Sequence, residues 1–140
     1  MVHTENNVEK LLKKDGVSFA DFTHANEPVV NISDLIFRNK FRKSWSRRLV
    51  NTVNGSAVII SQSPGEGNRQ HWHPDYNEWW YIADGAYDLM VGITKRRVRI
   101  KKGDFVFMPA GMRHQMIAVG KKPAVRIGFS HSMATHLYER

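Results

Sequence analysis

Four residues constrain this chain more than any others: His71, His73, Glu78 and His114. The first three stand in the stretch from Gly65 to Gly85, within Gln-His-Trp-His-Pro-Asp-Tyr-Asn-Glu, and the fourth closes the run from Gly103 to His114. Side chains alternate along a strand, so His71 and His73 share one face and Trp72 takes the other. Pro74 to Asn77 reads as a turn, and the returning strand opens with Glu78. Its inward set is then Glu78, Trp80 and Ile82, while Trp79 and Tyr81 face outward. His114 follows a Pro-Ala-Gly turn and arrives from a separate hairpin. If the shared face lines a small barrel, all four meet at one point. Three imidazoles and a carboxylate suit a divalent first-row transition metal.

The surrounding sequence supports such a fold. From Phe41 onward, Leu49–Val53 and Ser56–Ser61 are β-type runs separated by Asn54-Gly55, a strong hairpin signal. Strands are expected over 69–73, 78–83, 86–93, 97–100, 104–108, 114–119 and 125–130, with Gly- or Pro-containing turns between them. Short strands with turn signals every roughly 8–12 residues argue for a β-sandwich or barrel, and no long helix is present for crossovers. Ahead of them, Thr4 to Lys14 reads as an amphipathic helix with Val8, Leu11 and Leu12 on one face and Thr4 as cap. Asn31 to Phe37 reads as a helical turn capped by Ser33 or Asn31. The expected organisation is an N-terminal extension over 1–40, a barrel over 41–133 and a C-terminal tail over 134–140.

Composition excludes several alternatives. The 140 residues contain no cysteine, which removes disulfides, zinc–thiolate sites, iron–sulfur clusters and thiol catalysis together. No apolar run approaches the ~20 residues of a membrane span. The start lacks a basic n-region followed by an apolar segment, so a cytoplasmic protein is expected. The net charge of +8 favours anionic partners, and it concentrates in Arg38 to Arg48 and Lys95 to Lys102. Nucleic acid is not expected, because no nucleic-acid-binding motif accompanies the charge. Solvated strand edges and hairpin tips account for such clusters.

The two histidine-bearing segments resemble the paired motifs of the cupin superfamily. The first agrees at Gly65, His71, His73, Glu78 and Gly85, the second at Gly103, Pro109, Gly111 and His114, and the second departs at Ala118, where many members carry Asn. The resemblance covers about residues 55–130 and implies an all-β fold, the double-stranded β-helix or jelly-roll barrel, with a short helical or extended N-terminal extension. It implies one divalent metal held by His71, His73, Glu78 and His114, with Fe(II) favoured and Mn, Ni, Co, Cu or Zn open. It further implies an enzyme on a small, anionic organic substrate, most often with dioxygen, and a homodimer. The alternatives are an isomerase, lyase or decarboxylase without redox chemistry, and a non-catalytic small-molecule sensor. Glu78, if it leaves the metal, can serve as base. Arg69, two residues before His71, is a candidate anchor for a substrate anion, and Trp80 a candidate cavity wall. His131 and His136, five residues apart and with no third ligand beside them, are expected to be surface or packing histidines.

Overall fold

The computed structural model describes residues 2–131 and 134–139. Residues 133 and 140, where the barrel and the tail are expected to end, lie outside the described residues. The chain runs β1 (Val2–Glu5), α1 (Val8–Lys14), β2 (Ala20–Asp21), α2 (Ile32–Arg38), β3 (Trp45–Thr52), β4 (Gly55–Gln62), β5 (Glu78–Asp84), β6 (Ala86–Val91), β7 (Arg96–Lys101), β8 (Phe105–Met108), β9 (His114–Val119), β10 (Ala124–Ser130) and β11 (His136–Glu139).

Two sheets face each other without closing into a continuous barrel. One has six strands in the order β2-β3-β4-β10-β5-β8. The other is built on β7-β6-β9 and continues through single bridges, His71 to His114 and then Trp72 to Leu137, into the antiparallel pair β11-β1. Period-two burial drives the facing. β5 alternates buried and exposed from Glu78 to Ile82, as expected for a strand with one dry face. Trp80 and Ile82 of one sheet pack with Tyr87, Leu89, Met116 and Ala118 of the other in the main core. On the outer face of the six-stranded sheet, Leu35 of α2 packs with Trp45, Ile59, Val125 and Ile127. Leu12 of α1 and Val17 meet Val58 and Ile60 on the inner side, so α1 plugs the splayed end of the sandwich.

Several local expectations are corrected. The first helix begins at Val8, not near Thr4, because Asn7 caps it, its side-chain oxygen accepting from the Lys10 N–H at 2.9 Å. Val2 to Glu5 is instead claimed by ladder bonds with His136 to Glu139. Of the two possible caps for α2, Asn31 is the one used. The expected strand over 69–73 shrinks to the two bridges at His71 and Trp72. The basic run from Arg38 is spent partly on the residues before β3: Arg42 stacks on Phe19 with its guanidinium 3.4 Å from the ring centre, and Arg47 pairs with Glu27 at 3.0 Å.

Candidate metal centre

His71 and His114 face each other as a β-bridge that exchanges both backbone bonds, at 3.1 and 2.9 Å. Residues so paired carry their side chains side by side on one face, and the two imidazole centres lie 4.3 Å apart. His73 follows two residues later, its ring 4.9 Å from that of His71. The turn between His73 and Glu78 is pinned to the Pro-Ala-Gly turn: Gly111 N–H donates to the His73 carbonyl at 2.7 Å and Ala110 N–H to Asn77 Oδ1 at 3.0 Å. These bonds fix the histidine segment, the glutamate and the second motif relative to one another. Glu78 Oε2 then sits 3.1 Å from His73 Nε2, and Oε1 lies 3.9 Å from His114 Nε2.

The second nitrogen of each ring is what suits the cluster to a metal. Nδ1 of His71 lies 2.8 Å from the Arg69 carbonyl, Nδ1 of His73 2.8 Å from that of Thr135, and Nδ1 of His114 2.9 Å from that of Met112. A carbonyl oxygen only accepts, so each Nδ1 carries the proton and each Nε2 keeps its lone pair. That arrangement orients imidazoles toward an ion. Nε2 of His114 is buried without a hydrogen-bond partner among the described residues, and Nε2 of His73, also buried, faces only the Glu78 carboxylate. Orphaned acceptors of this kind are costly unless something fills the space between them. One donor atom each from His73, Glu78 and His114 lies within 4.8 Å of the others. The residues therefore fit a divalent cation.

Electrostatics agree. Burial, reinforced by the neighbouring imidazoles, keeps His71 neutral far below the ordinary histidine range. Burial also lowers His114, although Glu78 works against it. His73 moves the other way: burial would depress it, but the adjacent Glu78 carboxylate raises it above the usual value. Burial would in turn raise Glu78, and His73 with the other imidazoles holds it low. Without an ion, Glu78 and His73 share the charge that a cation would otherwise balance.

A cavity of about 80 Å³ opens from this cluster between the sheets, reaching His71, Glu78, Trp80, Arg126, His136 and Tyr138. Trp80 lines it, with its ring 5.2 Å from that of His114 and its indole seated over Gly128, where a Cβ would come within 3.1 Å of it. Arg69 does not. Strand alternation breaks down at the bend before His71, and Arg69 turns outward to Asp15 at 3.0 Å, with its guanidinium over Tyr138. The guanidinium that does enter the cavity is Arg126, 3% exposed, whose Nη1 donates to Gln62 Oε1 at 2.6 Å. Among the described residues no carboxylate forms an ion pair with it. The signal was available in the sequence, since Arg126 interrupts the apolar run Ala-Val-Arg-Ile. His136 is the other omission. Expected at the surface or in packing, it stands with its ring centre 5.1 Å from His71 and 4.6 Å from His73. Burial, with the charge of His73, lowers it to about 4. Tyr76 completes the surround, its hydroxyl 2.6 Å from His73 Nδ1.

Comparison with known proteins agrees with this architecture. Tetracenomycin polyketide synthase protein TcmJ of Streptomyces glaucescens is 29% identical over 75 residues, which cover 54% of this chain and 49% of that protein. Oxalate decarboxylase OxdC of Bacillus subtilis is 27% identical over 73 residues, 50% of this chain and 19% of the enzyme. A structure of that decarboxylase, described for its Mn(II) centres, superimposes with a TM-score of 0.52 at 24% identity, over 57% of this chain and 22% of that one. The chain thus spans half or less of the length of these two curated relatives. A Klebsiella pneumoniae protein with a double-stranded β-helix domain superimposes with a TM-score of 0.67 at 17% identity, over 82% of this chain and all of that one (100%). The family model described as "Cupin domain" matches residues 58–127. That match runs from within β4 to within β10 and takes in β5 to β9, which supply most of the main core between the two layers, and on that ground this chain belongs to the cupin family.

Proposed function

We propose that this cupin is a metal-dependent enzyme acting on a small, anionic organic substrate, with His71, His73, Glu78 and His114 holding one divalent ion. Fe(II) and a dioxygenase-type reaction are the favoured form of the proposal. The observation that carries it is Arg126. A buried guanidinium without a carboxylate against it is expensive to keep dry. A substrate carboxylate entering the cavity would supply the missing charge and could take both guanidinium arms. The cavity's size supports the same reading: about 80 Å³ is well below the roughly 300 Å³ of sites for drug-sized ligands, and it fits an acid of few heavy atoms. When bound, the ion supplies Lewis acidity and, as Fe(II), a route to dioxygen. Trp80 excludes water from one wall. Glu78, if it leaves the ion, can serve as the base that takes a proton from a substrate held against Arg126.

A second reading, decarboxylation or another lyase reaction without net oxidation, is favoured by the likeness to the oxalate decarboxylase. The two separate in one experiment. Protein loaded anaerobically with Fe(II) or Mn(II) is offered a panel of small carboxylates, with oxygen uptake and carbon dioxide release recorded. Uptake that depends on Fe(II) and substrate supports the dioxygenase form, and carbon dioxide release without uptake supports the second reading. Should wild-type protein retain no stoichiometric transition metal while His71→Ala behaves identically, the enzyme reading falls. The proposal extends to a homodimer through the outer face of β5 and β8. Trp79 with Phe107 and Tyr81 with Phe105 are cross-strand pairs there, all substantially exposed, the two phenylalanines on the edge strand β8 and the other two on its neighbour β5.

A further inference from the structure

We infer that His136 is a fifth protein donor to the metal centre, delivered by β11 and held in place by β1. The inference rests on the proposed metal centre and extends it beyond the four residues of the family's motifs. His136 lies outside the matched stretch of 58–127, so nothing in the family pattern places it. Its position follows from pairing at the two ends of the chain. β11 is bonded on one side to β1, with Glu5 opposite His136. On the other side Leu137 exchanges both backbone bonds with Trp72, at 2.9 and 3.1 Å. That second pairing sets β11 in register beside the histidine segment, and the carbonyl of Thr135 receives Nδ1 of His73. The segment that orients a first-motif ligand, just ahead of β11, therefore leads directly into a histidine of its own.

The geometry of His136 repeats that of the other three imidazoles. Its Nδ1 donates to a backbone carbonyl, that of Ala134, at 3.1 Å, which leaves Nε2 with the lone pair. One ring nitrogen each from His71, His73 and His136 lies within 4.8 Å of the others, as a second triad sharing His73 with the first. Two nitrogen donors on opposite sides of an ion stand about 4.2 Å apart, twice a typical metal–nitrogen distance. Donors on adjacent sites of an ion stand closer still, at about 3.0 Å, so the two triads, joined through His73, would contract as they close onto a shared ion. His136 also lines the cavity, so it approaches the ion from the side on which substrate enters. A side chain present for packing alone would not need its ring locked in the ligand tautomer.

The test counts nitrogens and measures affinity, without turnover. Wild type, His136→Ala, His136→Gln and His71→Ala are loaded with Cu(II), and coordinated imidazoles are counted by pulsed electron paramagnetic resonance. Co(II) affinity is measured by competition with a chelator. We expect four imidazoles in wild type and three in both His136 variants, with Co(II) held at least about tenfold more weakly by the variants. Three imidazoles in wild type, or His136 variants matching it in count and within twofold in affinity, would overturn the inference. The wild-type count decides this even if a variant does not fold. Failure of wild type to bind Co(II) at all is a different result, which removes the proposed centre itself and this inference with it.

Discussion

At the scale of single residues, Arg126 is the sharpest case. It should anchor a carboxylate through charge-assisted bonds worth about 1.5–3 kcal/mol, so Arg126→Met is expected to weaken binding of a small dicarboxylate such as oxalate about tenfold or more. Calorimetric titration of metal-loaded protein checks this. The same variant should also lose about 1–3 kcal/mol of stability, because it leaves the buried Gln62 Oε1 without its donor. Asp84 illustrates the opposite economy on the surface. Partial burial would raise its carboxyl, but Lys122 at 2.8 Å and the Gly85 N–H hold it below the ordinary aspartate value. A carboxylate lowered on folding contributes stability above its unfolded value and loses that contribution as pH falls through the folded one. Asp84→Asn should therefore cost a few tenths of a kcal/mol at neutral pH and nothing in acid, below the lowered value, as denaturant melts at the two pH values would read. Lys122 loses its partner in that variant without being buried.

Elements decide which of these residues reach the site. The alternation of β5 was legible in the sequence, and Glu78, Trp80 and Ile82 lie buried as that pattern requires. Arg69 shows where the pattern stops. Period-two reasoning holds only while the backbone stays extended, and the bend at Gln70 frees Arg69 to reach Asp15. The segment instead hugs β9 at Gly67, where a Cβ would lie 2.0 Å from the Met116 carbonyl oxygen and 2.9 Å from Ile117 Cα. No rotamer adjustment relieves a clash with backbone. Gly67→Ala is accordingly expected to destabilise by about 2–3 kcal/mol and to lower metal affinity by shifting His71 and His73. Chemical denaturation and chelator competition on the same sample would test both. His136 was not legible for a different reason: its place is set by pairing with strands far away in sequence, at Val2–Glu5 and at Trp72, and no local spacing encodes that. Arg126 was legible only as an interruption. A lone cation in an apolar strand announces burial, whereas which cavity it enters depends on the register of β10 against β4 and β5.

For the molecule as a whole, the outer aromatic face and the paired chain ends lead to separate expectations. Phe105 and Phe107 are 65% and 58% exposed on the edge strand β8, where an unpaired ladder invites another strand. If this face joins two copies, Phe107→Lys should give a monomer by light scattering with its metal content intact, and an unchanged mass would exclude the face as the contact. The ribbon of β1 and β11 has consequences in time. A two-stranded pair of four residues each is marginal by itself, and weakly supported units open more readily than the whole protein unfolds. Backbone amides of residues 2–5 and 136–139 should thus exchange with deuterium well ahead of those in β4 and β10. Each opening would lift one wall from the cavity and withdraw the Thr135 carbonyl from His73. The half-life of the ion against a chelator would then follow the ribbon's opening rate and not the rate of global unfolding, making the two ends of the chain the clock for metal exchange.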